Sequence, residues 1–480
     1  MVGTEQGHPL SPEFFKIYIH ELSVILDNVS GDHPLLWNKK VNHLLWADDL
    51  VAMSLNSDDL NALLKSINDF CTAWGLEVNI DKTKVMIFNS TGRHLKSSTT
   101  FKMGETIIDT TKSYTYLGIT FTLSGSFMIA REELRKKALR SYFSLKRTLD
   151  VNSLSVKAVL KLFDSLILPI LSYGIQVWFS TTHVAAILKG KSSFSIKKLS
   201  LDSMEKLHME IIKWTLGVHK RASNIGCYGE TGRAPLGVTC LPQILRYFMN
   251  LERLVTFNNN ISDQDVDLPL VYRAFMEQKI LQLEWYDTLK GICNRHLPAS
   301  YSGSLTNAEV ATTSCYKEFS AFWMTEKASQ NRLSFLNSIK VELRYEEYLS
   351  QLPRSMRSHV TRLRIGAHLL NSERGRYNTK TGNERMLHKV CESCMDGNHT
   401  NTLLHELPFY DPIIEDESHV LVTCPRYHLL RSKLPDNVLS PMLRHDFQEA
   451  LEDKRYSFYV GQFIKNIFQS RNPKSKKKQS

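Results

Sequence analysis

Residues 42–55, NHLLWADDLVAMSL, limit the folds open to this chain more than any other stretch. Two neighbouring carboxylates, Asp48 and Asp49, lie between short apolar runs. Leu44, Leu45 and Trp46 precede them; Leu50, Val51, Met53 and Leu55 follow with partial alternation. Runs of this length and type read as two strands, with the acidic pair at or near the turn that joins them. Aspartate accepts turn geometry, so a rigid hairpin can carry both side chains at its tip. Like charges side by side repel, and a fold tolerates them best in an exposed loop or around a cation. Hard divalent ions such as Mg²⁺ take oxygen ligands of this kind while keeping waters and substrate phosphates. A solvated acidic turn would use the same residues, so the flanking sequence has to decide.

A length of 480 residues allows two to four domains with a large core. Lys plus Arg number 60 against 49 Asp plus Glu, a net charge of +11 that favours a polyanionic partner. No apolar run approaches the ~18 residues of a membrane span, so no membrane role is expected. The opening MVGTEQGHPLSP has no charged-then-apolar leader, so secretion is not expected. Eight scattered cysteines suggest reduced thiols, in keeping with the nucleus or the cytoplasm.

Residues 3–12, GTEQGHPLSP, read as a tight loop in which Gly7 and Pro9 leave the backbone open to a ligand. Ser11 and Pro12 suit the N-cap and first position of a helix with Phe15, Tyr18, Ile19, Leu22, Ile25 and Leu26 at helical spacing. After the acidic hairpin, Ser57 is placed to cap a second helix and Gly75 to end it. Leu60, Leu63, Leu64, Ile67, Phe70, Cys71 and Trp74 form its apolar stripe. LEVNIDKTKVMIFN then reads as two short strand-like runs around a turn bearing Asn79, Lys82 and Lys84. Met103-Gly104-Glu105 suggests a further hairpin.

Taken in order, GTEQGHPLSPEFF, WADDL, GLEVNIDKTKVMIF and YTYLGITFTLSGSF resemble the reverse transcriptase of non-LTR (LINE-type) retrotransposons. In that family they would be palm motifs B, C and D and the primer-grip motif E. Each is weak alone, but all four occur in the family's order within residues 3–127. The one departure is Trp46, where the family more often has Tyr or Phe. The resemblance implies RNA-directed DNA polymerisation with Mg²⁺ on an RNA template and a DNA primer. Asp48 and Asp49 would face the metal, and Gln6, Gly7 and Pro9 would line the template and nucleotide site. Lys82 would lie near the leaving pyrophosphate, and Tyr116, Leu117 and Gly118 would position the primer. Such polymerases also need a motif A aspartate, expected before the Gln-Gly loop. Without it, the 480 residues are expected not to polymerise. Phe163-Asp164-Ser165 imitates that motif but follows motif E inside a helical pattern, so Asp164 is read as an ordinary helix residue. A non-catalytic nucleic-acid-binding protein and a functionless retroelement relic remain as alternatives.

A helix is expected over residues 129–149, with Leu134, Ala138, Tyr142, Leu145 and Leu149 on one face and Arg135, Lys136, Lys137, Arg140, Lys146 and Arg147 along it. These charges suit either a nucleic-acid backbone or a plain solvated face. Residues 151–370 look mainly helical, with residues 226–237 as a loop and 301–314 as a linker. Near the C-terminus, Cys391-x₂-Cys394 followed by His419-x₄-Cys424 is a plausible tetrahedral Zn²⁺ set. Its second half resembles the zinc-binding region of the same retroelements. The segment between the halves looks long for the family, and His388, His399 or His405 could replace His419. Such a zinc would be structural. The tail RNPKSKKKQS reads as basic and disordered.

The expected fold is α+β. It comprises a partial right-hand palm (1–98), a primer-grip hairpin with the start of the thumb (99–150), and a helical thumb and connector (151–300). A linker and helical region (301–370), a Cys/His module (371–450) and a C-terminal helix with basic tail (451–480) would follow. The oligomeric state is left open.

Overall fold

The computed structural model describes residues 8–93, 100–258, 268–299, 305–374, 389–394, 413–444 and 446–471. Gln6, Gly7, His388, His399, His405 and most of the basic tail lie outside them. The architecture is α+β: among the described residues, four two-stranded antiparallel hairpins and two helices make up the N-terminal part, and helices follow from residue 128 on. Among the described residues no single helix is long and apolar enough to cross a membrane.

Helix α1 (Ser11–Asp27) and helix α2 (Ser57–Trp74) form the first core. Leu22 and Leu26 of α1 meet Leu63, Leu64, Ile67 and Phe70 of α2, with Val85, Phe101, Met103 and Ile108 completing the cluster. Each buried aliphatic or aromatic side chain contributes about 1.5–3 kcal/mol relative to exposure. The stripe expected on α1 is only partly used, since Ile25 stays exposed. Both expected caps fall one residue off. Helix α1 starts at Ser11 after Leu10, and α2 is capped by Asn56, whose Oδ1 accepts from the Asp59 N–H at 2.9 Å. Gly75 ends α2 at φ 66°, as its sequence position suggested.

Between and after these helices come β1 (Leu35–Leu36) with β2 (Lys39–Lys40), and β3 (His43–Trp46) with β4 (Asp49–Ala52). They are followed by β5 (Lys102–Met103) with β6 (Thr106–Ile107), and β7 (Ser113–Tyr116) with β8 (Ile119–Thr122). Residues 76–88 do not form the two strands expected of them. Only Val85 bridges, to Thr110, because a strand needs a ladder and the neighbouring segments pair among themselves. The polar turn survives: Asn79 accepts from the Thr83 N–H at 3.0 Å.

Helix α3 (Met128–Thr148) leads into a second, much larger apolar core that runs continuously from Leu134 to Ile467. Along α3, Arg135 pairs with Glu132 at 2.7 Å and Lys136 with Glu133 at 2.8 Å, while Lys146 lies over the rings of Tyr142 and Trp214. With Arg131 on Asp202 at 2.7 Å, four of the seven cations of this helix are engaged within the protein. Asp164 sits in a π-helical turn, Phe163–Ile167, just ahead of Pro169, which donates no backbone hydrogen bond. Arg233 pairs with it, so Asp164 is a structural helix residue as read.

Two sequence readings fail in this region. Residues 226–231 are helical, within Asn224–Thr231, where Ser223 Oγ caps the Gly226 N–H at 3.3 Å. Their glycines mark close packing instead of a loop. A Cβ on Gly226 would meet Ile365 at 2.8 Å, and one on Gly229 would meet Trp323 at 2.8 Å. Residues 305–314, read as linker, open the helix Leu305–Ser329.

Candidate active site and Cys/His centre

The register of β3 and β4 pairs Trp46 with Asp49, which leaves a two-residue turn of Ala47 and Asp48. Both aspartates are exposed at the tip. Ala47 holds φ 53°, a left-handed conformation that costs a residue with a Cβ about 1–2 kcal/mol. Backbone outliers of this kind cluster at functional tips. Ala47→Gly is therefore expected to stabilise the hairpin by about 0.5–1 kcal/mol. A rise in the urea midpoint of the N-terminal core would show it, and an unchanged or lower midpoint would contradict the strain.

The β7–β8 hairpin has the same construction. Tyr116 pairs with Ile119, and the turn residues Leu117 and Gly118 take φ 48° and 81°. Its tip is braced from the helical part by Tyr173, whose hydroxyl donates to the Leu117 carbonyl at 2.8 Å. Tyr114 Oη donates to the Lys82 carbonyl at 3.0 Å, tying the 79–84 turn to the same hairpin. Burial, then the charge of the Asp49 carboxylate, pushes the Tyr116 phenol above its ordinary value. The Lys82 side chain is exposed, as is Pro9, and no contact joins either to the aspartates. Among the described residues no third carboxylate joins Asp48 and Asp49 in a metal-sized cluster. The pair fits part of a Mg²⁺ site, not a symmetric two-ion site.

The second site lies in the helical part. The ligand atoms of Cys391, Cys394, His419 and Cys424 all lie within 4.8 Å of one another, the one such cluster among the described residues. Cys391 and Cys424 sulfurs are 3.7 Å apart, and Cys394 Sγ is 3.3 Å from His419 Nε2. A tetrahedron with bonds near 2.3 Å has edges of about 3.8 Å, so the spacing is that of a closed four-ligand metal site. Local structure sets this up. The Cys391 N–H donates to the Ile413 carbonyl at 2.9 Å, and the Cys394 N–H to the Cys391 carbonyl at 3.1 Å, forming the knuckle. His419 and Cys424 flank one π-helical turn, closed by the Cys424 N–H to the His419 carbonyl at 2.8 Å. Thr423 Oγ1 lies 2.9 Å from His419 Nδ1 and leaves Nε2 free to ligate.

Electrostatics agree with that reading. Burial and the neighbouring sulfurs push the Cys394 thiol up to about 12, while burial lowers the His419 imidazole, keeping it neutral and able to coordinate. Crowded thiolates of this kind are stabilised by a divalent cation. The module is fastened to the C-terminal helix by Arg471, which grips Glu415 at 2.5 and 2.6 Å, and to the rest of the core by His368 on Glu417 at 2.7 Å. Among the described residues His419 completes the set, while the alternatives His388, His399 and His405 lie outside them.

The reverse transcriptase (RNA-dependent DNA polymerase) family matches residues 1–121, which include both hairpin tips. A Pol polyprotein from the type-1 retrotransposable element R2 of Popillia japonica is 25% identical over 263 residues, 52% of this chain and 33% of that protein. The corresponding polyprotein of the type-2 element R2DM of Drosophila melanogaster is 30% identical over 129 residues, 26% of this chain and 12% of its own length. An uncharacterized transposon-derived protein of Caenorhabditis elegans is 29% identical over 141 residues, 29% of this chain and 50% of its own. The chain carries a non-LTR reverse transcriptase region. It spans half of the nematode relative and a third or less of the two insect polyproteins.

Within the matched residues, the stretches read as motifs C and E each form a hairpin with a two-residue turn. The stretch read as motif D meets the β7–β8 hairpin through the Lys82 carbonyl. Motif B ends in α1, with Gln6 and Gly7 outside the described residues. Sequence reading missed the supporting groups, above all Tyr173, Thr423 and Arg471. Each acts across a gap in sequence or through one hydroxyl, and none carries a motif signal.

Proposed function

We propose that this chain engages an RNA template and a DNA primer as reverse transcriptases do, with Asp48 and Asp49 as the metal-facing carboxylates. The observation that supports the reading is the two-residue turn at which Asp48 and Asp49 are exposed side by side, within the residues that match the reverse transcriptase family. Mg²⁺, when bound, supplies charge stabilisation for in-line displacement at a nucleotide phosphate. Asp48 and Asp49 would hold it, with Asp48, which sits in the turn itself, as the direct ligand. Leu117 and Gly118, kept in place by Tyr173, would set the height of the primer end. Gln6, Gly7 and Pro9 would border the template, and Lys82 would serve the departing pyrophosphate.

We further propose that these 480 residues bind nucleic acid but do not extend a primer by themselves, because two adjacent carboxylates cannot position two ions. The test measures Mg²⁺-dependent deoxynucleotide incorporation on a primed RNA template beside salt-sensitive RNA binding. Binding without incorporation above the Asp48→Asn/Asp49→Asn background is expected. Incorporation that this double substitution abolishes would overturn inactivity while confirming the site.

For Cys391, Cys394, His419 and Cys424 the proposed occupant is Zn²⁺, on the thiolate-rich donor set and tetrahedral spacing. With four protein ligands no position stays open for water, so its role is structural. Residence in the nucleus or cytoplasm is proposed on the same grounds as the nucleic-acid partners.

A further inference from the structure

The helix Ser203–Leu216 ends at Gly217, and the chain turns through residues 218–222 before the helix Asn224–Thr231 begins. Between these elements and the 330–332 segment lies a pocket of about 330 Å³ lined by Lys213, Lys220, Arg221, Ser223, Asn224 and Arg332. Four of those six side chains are cations. Among the described residues none of the four has a carboxylate within ion-pairing distance.

Two of them have structural work. Lys213 Nζ donates to the Lys220 carbonyl at 2.9 Å, and Arg332 Nη1 donates to the Arg221 carbonyl at 3.1 Å. These bonds fix the backbone of the turn and leave the Lys220 and Arg221 side chains exposed and unpaired at its rim. Arg332 Nε is buried without any partner. Behind the turn, Arg354 and Arg362 donate to the Trp214 and Gly217 carbonyls at 2.7 and 2.6 Å, adding two more cations nearby. The first N–H groups of the Asn224–Thr231 helix lack intrahelical acceptors, and Asn224 and Ile225 both line the pocket. The positive potential is felt locally. Burial and then Arg332 depress the Lys213 ammonium; burial and then Arg332, Arg362, Lys213 and Arg221 depress the His219 imidazole.

Like charges gathered without counter-charge destabilise a fold unless an anion offsets them. A lone structural explanation covers Lys213, Arg332, Arg354 and Arg362, which satisfy carbonyls. It does not cover the Lys220 and Arg221 side chains, which satisfy nothing among the described residues.

We propose that this pocket binds phosphate groups of a nucleic-acid strand, with Lys220 and Arg221 as the strand-contacting side chains and Lys213 and Arg332 holding their turn. The strand is favoured over a free phosphate because the two unpaired cations stand at the rim, where a chain can run past. The site lies on different elements from the Asp48–Asp49 hairpin and needs neither Mg²⁺ nor polymerisation, so its failure and that of the polymerase reading are distinguishable.

The experiment titrates the full chain against a fluorescently labelled single-stranded RNA over a range of salt concentrations. Lys220→Ala/Arg221→Ala changes only exposed side chains, and both carbonyls that brace the turn remain. It is expected to weaken binding about 10- to 100-fold and to reduce the salt slope by about 1.4, the value for two phosphate contacts on a single strand. The matched deletion Lys317→Ala/Lys433→Ala, at exposed positions elsewhere, should leave both nearly unchanged. Equal losses in the two variants would show a general charge effect and overturn the site, as would an unaltered slope in Lys220→Ala/Arg221→Ala. Inorganic phosphate, tested at matched ionic strength, is expected to compete only weakly. Submillimolar competition by phosphate, with RNA affinity unaffected by the double substitution, would reassign the pocket to a small anion and overturn the strand.

Discussion

Stripping the metal from the purified protein, or replacing Cys424 with Ser, is expected to unfold the region around residues 389–431 and to lower overall stability by about 5 kcal/mol or more. The reasoning starts from burial. Cys391 and Cys424 are fully buried and belong to the same apolar core as Val420, Leu421 and Tyr427. Without a cation the site holds three sulfurs and an imidazole within 4.8 Å, an arrangement in which burial already raises the Cys394 and Cys424 thiols. With it, metal-ligand bonds replace those repulsions and close a loop that begins at the Cys391 knuckle. Structural zinc contributes folding energy directly, and zinc-finger peptides depend on about 10–16 kcal/mol of it. The larger core here reduces that dependence without removing it. Elemental analysis should give one zinc per chain, and a strong chelator should lower the thermal midpoint reversibly. Cys394→His, which keeps a ligand, should retain more zinc than Cys394→Ala. A protein that purifies without zinc, and whose melting is indifferent to both chelator and Cys424→Ser, would refute the centre.

Much of this was legible in the sequence where one element carries the whole signal. The α2 stripe and Gly75 stop are local. So is the hairpin tip, because Trp46 and Asp49 need only two turn residues between them. The Cys-x₂-Cys and His-x₄-Cys halves were visible for the same reason, and the π-turn that joins the second pair lies within five residues. Legibility failed where a partner element decides. Residues 76–88 have strand composition but only one bridge, since the choice of ladder partner is not encoded locally. The helix Leu305–Ser329 was hidden by the Ser and Thr of its outer face, although Ala308, Ala311, Cys315, Phe319 and Trp323 bury completely at helical spacing. Gly226 and Gly229 imitated a loop because close helix packing and chain reversal both require glycine. The cationic pocket could not be read at all, since Arg332 lies more than a hundred residues beyond Lys220 and Arg221.

Arg364→Met is expected to cost about 3–5 kcal/mol, the penalty for leaving buried carboxylates without their partner. Arg364 and Glu230 are both wholly inaccessible to solvent. The guanidinium donates from Nε to Glu230 at 2.8 Å and from Nη1 to Gln448 at 2.7 Å, and it pairs with Glu346 at 3.1 Å. Tyr348 Oη donates to the other Glu230 oxygen at 2.6 Å, and Lys340 pairs with Glu346. Burial works to raise the Glu346 carboxyl, but Arg364 and Lys340 outweigh it and hold the group below the ordinary carboxylate range. A carboxyl depressed in the folded state adds stability above its unfolded value, and that stability is lost as pH falls through the folded one. The native protein should therefore weaken in acid, below about pH 4.5. In Arg364→Met the Glu346 carboxyl loses the larger of the two charges that offset its burial and keeps only Lys340, so protonation should relieve the variant and its deficit should shrink as pH drops from 7 to 5. Denaturant midpoints of both proteins across that range test the sign. A constant gap would mean that lost packing, not stranded charge, accounts for the cost. Adding Glu230→Gln should recover part of the loss, and the coupling in the double-mutant cycle gives the pair energy. The network also bears on nucleic acid. Glu230 sits in the last turn of the Asn224–Thr231 helix, whose first turn lines the cationic pocket. Anchoring one end of so short a helix fixes the other, so Arg364→Met should weaken RNA binding in a way that Lys220→Ala/Arg221→Ala makes redundant.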